Sequence, residues 1–221
     1  MRKKILAVCF LVSFMCFCSI AQAGQLYTSG HLGVTFANDA DVPWGSERAR
    51  PGDPEFTNEL DAGYGFLAAV GYDFDGPRVE VELGYQKNSF DEFGWPGEPA
   101  TIRETGDLSV LSMMVNGYYD FHNPSNFTPY LTAGLGFAYV EWTDFAIPDT
   151  GWIEEYNFYD TVFAYQFGAG VEYAINEALA VDLRYRYLGT GDIDVTAPPY
   201  WGSTEAEFSS HNIYLGLRYF F

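Results

Sequence analysis

Residues 212–221 read Asn212-Ile213-Tyr214-Leu215-Gly216-Leu217-Arg218-Tyr219-Phe220-Phe221. Successive side chains of an extended chain point to opposite faces, so Ile213, Leu215, Leu217, Tyr219 and Phe221 share one face, with Asn212, Tyr214, Gly216 and Arg218 on the other. One face is oily and the other is not. The oily face could cover a protein core or meet lipid, and the strands before it have to decide.

Seven earlier stretches alternate in the same way. Their apolar sets are Leu32-Val34-Phe36, Tyr64 to Phe74, Val79-Val81-Leu83-Tyr85, then Leu111-Met113-Val115-Tyr119-Phe121 within 108–121, Leu131 to Tyr139, Phe163 to Tyr173, and Leu179 to Tyr187. Short turns are expected at Asp75-Gly76-Pro77, at 122–128 and at Asn176-Glu177. Long connections are expected over 38–60, 87–107, 141–160 and 189–208. The first contains Pro43, Pro51 and Pro54, which sheet interiors exclude. The sequence therefore predicts an all-β fold, an eight-stranded antiparallel up-and-down transmembrane β-barrel with four long extracellular loops and three short periplasmic turns.

The second face of each strand separates a membrane barrel from a soluble one. A water-soluble eight-stranded barrel turns its apolar face inward and shows solvent a face rich in Lys, Ser and Thr. Here the less apolar face carries Gly and Ala beside Glu and Arg, with no lysine on any predicted strand. Small residues beside long charged ones suit a narrow lumen that side chains fill. Tyr and Phe close the apolar face at many strand ends, as at a lipid boundary.

Residues 1–23 carry Arg2, Lys3 and Lys4, an apolar run from Ile5 to Ile20, and Ala21-Gln22-Ala23 before Gly24, the pattern of a cleaved secretory signal. The expected mature domain is 24–221. Cys9, Cys16 and Cys18 all leave with the signal, so disulfides, thiol chemistry and cysteine metal sites are not expected. The mature chain has 8 basic and 30 acidic residues, a formal charge of −22, which argues against nucleic acid as a partner.

Residues 128–136 (TPYLTAGLG), 168–173 (GAGVEY), 182–189 (DLRYRYLG) and the final strand resemble the OmpA-like, opacity-type porin-family barrels of Gram-negative bacteria. The resemblance covers nearly the whole mature chain. It implies residence in the cell outer membrane, contact with its lipid and lipopolysaccharide, and a C-terminal signal, here Tyr219 and Phe221, read by the outer-membrane assembly machinery. It implies little about activity, since that family includes adhesins, surface antigens and small pores. With the sequence ending at Phe221, the peptidoglycan-binding domain of full-length OmpA proteins is not expected.

Parity places Arg78, Glu80, Glu82, Glu172, Asp182, Arg184, Arg186 and Arg218 in the lumen. Charges inside a membrane wall are costly unless paired. Glu80 and Glu82 on the third strand should lie across the barrel from Arg184 and Arg186 on the seventh, and Asp182 can pair with Arg184 along its own strand. A neutral, filled plug is the first expectation, and a gated low-conductance path in which the pairs exchange partners is the alternative.

The four long connections hold 22 acids, Asp61 included, against Arg48, Arg50, Lys87 and Arg103. Such a surface could hold divalent cations shared with lipopolysaccharide, attract host or surface ligands, or simply stay solvated. Trp44, Trp95, Trp142, Trp152 and Trp201 all fall in or beside these loops, where they could contact a partner or pack the loops together. No cofactor and no metal site are expected. Ser209-Ser210-His211 beside Glu207 offers nucleophile, base and acid, but adjacent strand residues diverge, so no catalytic residue is assigned and an enzyme acting on lipid A is a distant alternative.

Overall fold

A computed structural model describes residues 24–38, 40–42, 56–94, 101–103, 105–147, 152–196 and 203–221. Eight long strands form the wall: β1 (Gln25–Ala37), β2 (Gly63–Asp73), β3 (Pro77–Gly94), β4 (Thr105–Asp120), β5 (Phe127–Ile147), β6 (Trp152–Ala174), β7 (Leu179–Thr190) and β8 (Ser209–Phe220). Each pairs antiparallel with its sequence neighbour, and β8 pairs with β1, so the sheet is closed.

The partner positions fix the barrel's stagger. From Tyr27 they run through Gly71, Glu80, Asn116, Gly134, Gln166, Leu188 and Ser210, and return to β1 at Ala37, ten residues from the start. With a rise of about 3.3 Å per residue and about 4.8 Å between strands, that stagger tilts eight strands by roughly 41° and sets a backbone radius of roughly 8 Å. Such an interior has room for side chains and little else.

The two faces separate as parity requires. Leu32, Leu83, Leu135, Phe137 and Leu215 are each more than half exposed on the outer wall, while Val110, Met114, Gln166 and Arg184 are almost completely buried inside. A monomer that shows water this many contiguous aliphatic and aromatic side chains is not a soluble protein. Tyr72, Tyr119, Phe121, Phe127, Tyr173, Tyr219 and Phe221 mark the periplasmic end of the band, with ring contacts such as Tyr119–Phe121 at 5.2 Å between centroids. Tyr64, Tyr85, Tyr139, Tyr165 and Tyr187 mark the other end. At the β2–β3 turn Asp75 and Gly76 both have positive φ, 66° and 133°, and the Asp73 carboxylate accepts the Asp75 N–H at 2.8 Å.

On the extracellular side the strands run further than the expected bounds of the connections. β3 runs on to Gly94, β4 starts at Thr105, and β5 and β6 meet across only residues 148–151. Most of the second and third predicted loops is therefore paired strand, and Lys87 lies on β3 after all. Short strands Ala40–Val42, Phe56–Leu60 and Thr101–Arg103 add to the same sheet, and Ile193–Thr196 pairs with Ser203–Ala206 as a separate hairpin. Alternation shows a strand only where its faces meet unlike surroundings. Over these extensions the sequence alternates only weakly, although the pairing continues.

Candidate functional site

The periplasmic half of the lumen is filled by ions and tyrosines. β3 and β7 are four strands apart in a ring of eight, so they stand diametrically opposite, and Arg184 Nη1 on β7 reaches Glu82 Oε2 on β3 at 2.7 Å. Glu80 lies 3.9 Å from the same guanidinium and accepts hydrogen bonds from Tyr27 at 3.1 Å and Tyr118 at 2.6 Å. Asp182 accepts from the Tyr130 hydroxyl at 2.8 Å and faces Arg184 at 3.7 Å, Arg218 at 3.4 Å and His31 Nε2 at 3.1 Å.

Nearer the periplasm, Arg78 holds both oxygens of Asp120 at 2.8 Å and reaches Glu172 at 3.4 Å. Its guanidinium lies 4.8 Å from the ring centre of Tyr118 and 5.2 Å from that of Tyr130. Arg218 pairs with Glu172 and stacks 4.9 Å from Tyr27.

Two glycines make room for these rings. A Cβ at Gly71 would collide with the Tyr27 ring, and one at Gly170 with the Tyr130 ring. The small residues of the inner face are thus the floor on which the network's tyrosines lie.

Above the ions, amides and hydroxyls take over. Gln166 bonds Asn116 and reaches Glu82 at 3.4 Å, and Arg186 touches Glu82 at 3.6 Å and Ser112 at 3.4 Å. Gln86 donates to Ser210 at 3.1 Å, Asn212 to the same hydroxyl at 3.1 Å, and Thr35 to Asn88 at 3.0 Å. The extracellular end on the β4–β7 side is apolar: Leu108, Val110, Met114, Ala138, Val140, Val162, Ala164 and Leu188 pack together with Ile193 and Phe208 from the roots of the β7–β8 connection.

All eight charged residues read from parity lie inside and in contact with one another. Five members of the cluster were not read as such. Asp120 has the inward parity of β4, but a single acid at a strand end carries no partner signal. His31 has the inward parity of β1, yet its contact with Asp182 joins residues 151 positions apart. The tyrosines Tyr27, Tyr118 and Tyr130 look like girdle residues in composition, and only their parity separates them. The apolar inner cluster was missed because Leu and Val on the lumen side break the simple rule of polar in and oily out.

Of the loop aromatics, Trp142 is on β5 and half-buried against the inner apolar cluster, and Trp152 is the first residue of β6, so both belong to strands and not loops. Trp44, Trp95 and Trp201 lie outside the described residues. Tyr219 and Phe221 are exposed on the outer wall, their rings 5.2 Å apart. Ser210 is buried against Gln86, whereas His211 Nδ1 lies on the outer face 2.7 Å from the Tyr185 hydroxyl. Serine and histidine therefore diverge. Among the described residues no group of His, Cys, Asp or Glu is placed to hold a metal ion.

A closed eight-stranded wall, lipid-facing outside and ion-paired inside, defines an outer-membrane β-barrel protein. The family model for the outer membrane protein beta-barrel domain matches residues 9–221, and the chain belongs to that family. It is 27% identical over 238 residues to the outer membrane protein PagN of Salmonella typhimurium, covering 99% of this chain and 100% of that one. A shorter match, 30% over 95 residues and 34% of each chain, is to the major surface antigen 4 of Anaplasma marginale. Among solved structures, OprG of Pseudomonas aeruginosa superposes with a TM-score of 0.61 at 17% identity, over 90% of this chain and 96% of that one. The chain is accordingly an outer-membrane surface protein.

Proposed function

We propose that the barrel is a filled anchor and that the protein acts through what it displays outside the cell, as an adhesin or surface-antigen type of interaction protein and not as an enzyme. The observation that carries this reading is the Arg184–Glu82 pair, which crosses the full width of the lumen at 2.7 Å among residues that are almost completely buried. A lumen closed at its waist by matched charges serves stability better than transport. Function then falls to the protruding strands and their acidic connections, whose net charge of −18 suits divalent cations or a basic partner and repels polyanions such as sulfated glycans. The tryptophans of that region are the candidate contact residues. Secretion with cleavage after Ala23, contact with outer-leaflet lipopolysaccharide, and delivery to the assembly machinery by Tyr219 and Phe221 complete the reading.

A narrow conduit is the second reading. It is favoured by the column of Gln166, Asn116, Ser112, Gln86, Ser210 and Asn212, which would give a polar path above the ion pairs if those pairs exchanged partners. Single-channel recording of the refolded protein in planar bilayers separates the two. A silent bilayer, with loop deletions that abolish binding to cells, supports the anchor. Discrete currents that change on Arg184→Ala would establish the conduit instead.

A further inference from the structure

A nitrogen-bearing side chain on a lipid-facing wall calls for a partner. Among the described residues, two share the outer face at the extracellular girdle: Lys87 on β3, paired across the ladder with Tyr64, and His211 on β8, paired with Tyr187. They are not equivalent. The Lys87 ammonium is matched by the Asp107 carboxylate at 2.7 Å. His211 is exposed, and its Nδ1 lies 2.7 Å from the Tyr185 hydroxyl. With that hydroxyl donating, the ring hydrogen sits on Nε2, and an imidazolium carries one there as well. Among the described residues no protein group accepts it. A donor left unmatched against hydrocarbon is costly, so the acceptor has to come from outside the chain.

The surroundings of His211 are graded along the wall. The Tyr185 ring stacks on the imidazole at 6.0 Å between centroids, and Tyr187 meets it edge-on at 5.3 Å. Tyr165 continues the row, 6.3 Å from Tyr187. Its ring lies over Gly189, where a Cβ would meet it at 2.6 Å. Gly189 has the outward parity of β7, so this glycine makes room on the outer wall and not in the lumen. Toward the cell exterior, Ser209 shares the face of His211 and accepts a hydrogen bond from the Asn38 side chain at 2.8 Å. Toward the membrane interior, Val34, Ile213 and Leu215 are exposed and wholly apolar. Hydrocarbon below, aromatic rings and a donor at the girdle, and neutral polar groups above follow the profile of a lipid from its chains to its head group.

What lies against the wall at this height is the outer leaflet, whose lipopolysaccharide carries phosphates on a sugar head group. A phosphate oxygen is the strongest acceptor an N–H can meet there, because the bond is charge-assisted. Resting on the lipopolysaccharide contact in the reading above, we propose that His211, Tyr185, Tyr187 and Tyr165 form a binding site for the phosphorylated sugar head group of one outer-leaflet glycolipid. His211 Nε2 donates to the phosphate, and Tyr185 holds the imidazole in the orientation that allows it. The Tyr187 and Tyr165 rings carry the sugar. The acyl chains run down over Ile213 and Val34. Glu207 is exposed and close enough to Tyr165 to act on its hydroxyl, so it opposes the phosphate and limits the affinity.

The chain's three histidines make the test selective: His31 is in the lumen, His122 in a periplasmic turn, and His211 on the outer wall. The barrel is refolded in phosphatidylcholine nanodiscs with nitrogen-labelled histidine, and bisphosphorylated lipid A is added. The His211 Nε2 resonance alone should move. Inorganic phosphate at the same concentration should leave it in place. Native mass spectrometry of barrels released from the same discs should show lipid A retained by the parent. Retention should fall about tenfold in His211→Phe, as for one lost hydrogen bond to an ion, and by a smaller factor in Tyr185→Phe. Lys87→Gln should retain as much as the parent. A His211 resonance that lipid A does not move, an equal shift from inorganic phosphate, unchanged retention in either of the first two variants, or loss in Lys87→Gln would each overturn the proposal. None of these outcomes bears on whether the bilayer is silent or the loops bind cells, so failure here leaves the surface reading standing.

Discussion

Removing Arg184 together with Glu82 should cost less than the sum of removing each alone. The guanidinium and the Glu82 carboxylate are in contact at 2.7 Å, each almost completely buried. At an effective dielectric of 20, two unit charges about 4 Å apart attract by about 4 kcal/mol. Arg184→Leu leaves Glu82 with Arg186 at 3.6 Å and a Gln166 contact at 3.4 Å, which replace only part of that attraction. The expected loss is about 3 to 5 kcal/mol, the usual range for a buried charge stripped of its partner. The double variant Glu82→Leu with Arg184→Leu removes both charges of this pair, although Arg186 then loses its carboxylate and Glu80 loses Arg184, so it should be destabilised by less than the sum of the two single variants. Urea unfolding of all four proteins from lipid vesicles, followed by tryptophan fluorescence, closes the cycle. A single variant that costs less than about 1 kcal/mol, or a double variant as unstable as the sum of the singles, would refute the view that these charges are held in place by one another.

Further outcomes follow from other parts of the molecule. Gly170→Ala puts a methyl group into the Tyr130 ring and should cost about 1 to 3 kcal/mol in the same unfolding assay, since the ring cannot move without releasing Asp182. Above the outer aromatic girdle, outside the span, the hydrogen bond from Lys87 at 2.7 Å holds the Asp107 carboxyl below the usual carboxylate range. Because that value is lowered, the pair's small contribution is complete above about pH 4, the ordinary carboxylate value. It is lost as pH falls through the lowered one, so Asp107→Asn should narrow the stability difference between pH 6 and pH 3. Deleting Phe221 should slow barrel assembly in cells, read as accumulation of the unfolded form whose gel mobility heating leaves unchanged, with little change in the stability of barrels that do assemble.

The strands that cross the bilayer were legible because hydrocarbon on one side and a packed lumen on the other imposed a strict period of two. Leu215 and Arg218, or Leu83 and Glu82, could be sorted by counting. The same rule set Glu82 opposite Arg184 once eight strands were counted. It failed where apolar and polar residues stop alternating, so the long extensions of β3, β5 and β6 read as loops. It also failed for Leu108, Val110 and Met114, which are apolar and yet face inward, because the outer part of the lumen is a small hydrophobic core that Ile193 and Phe208 complete from a distant segment. Contacts between residues far apart in the chain, such as His31 with Asp182, leave no local trace.

The most direct test of the whole account is to ask what touches the outer wall. Spin labels placed one at a time at Leu32, Leu83, Leu135 and Leu215 in lipid nanodiscs should relax readily with dissolved oxygen and be protected from a water-soluble nickel chelate, as positions in hydrocarbon are. Labels at these sites that respond to the nickel chelate and ignore oxygen would mean that water covers the wall, and the outer-membrane barrel would have to be abandoned.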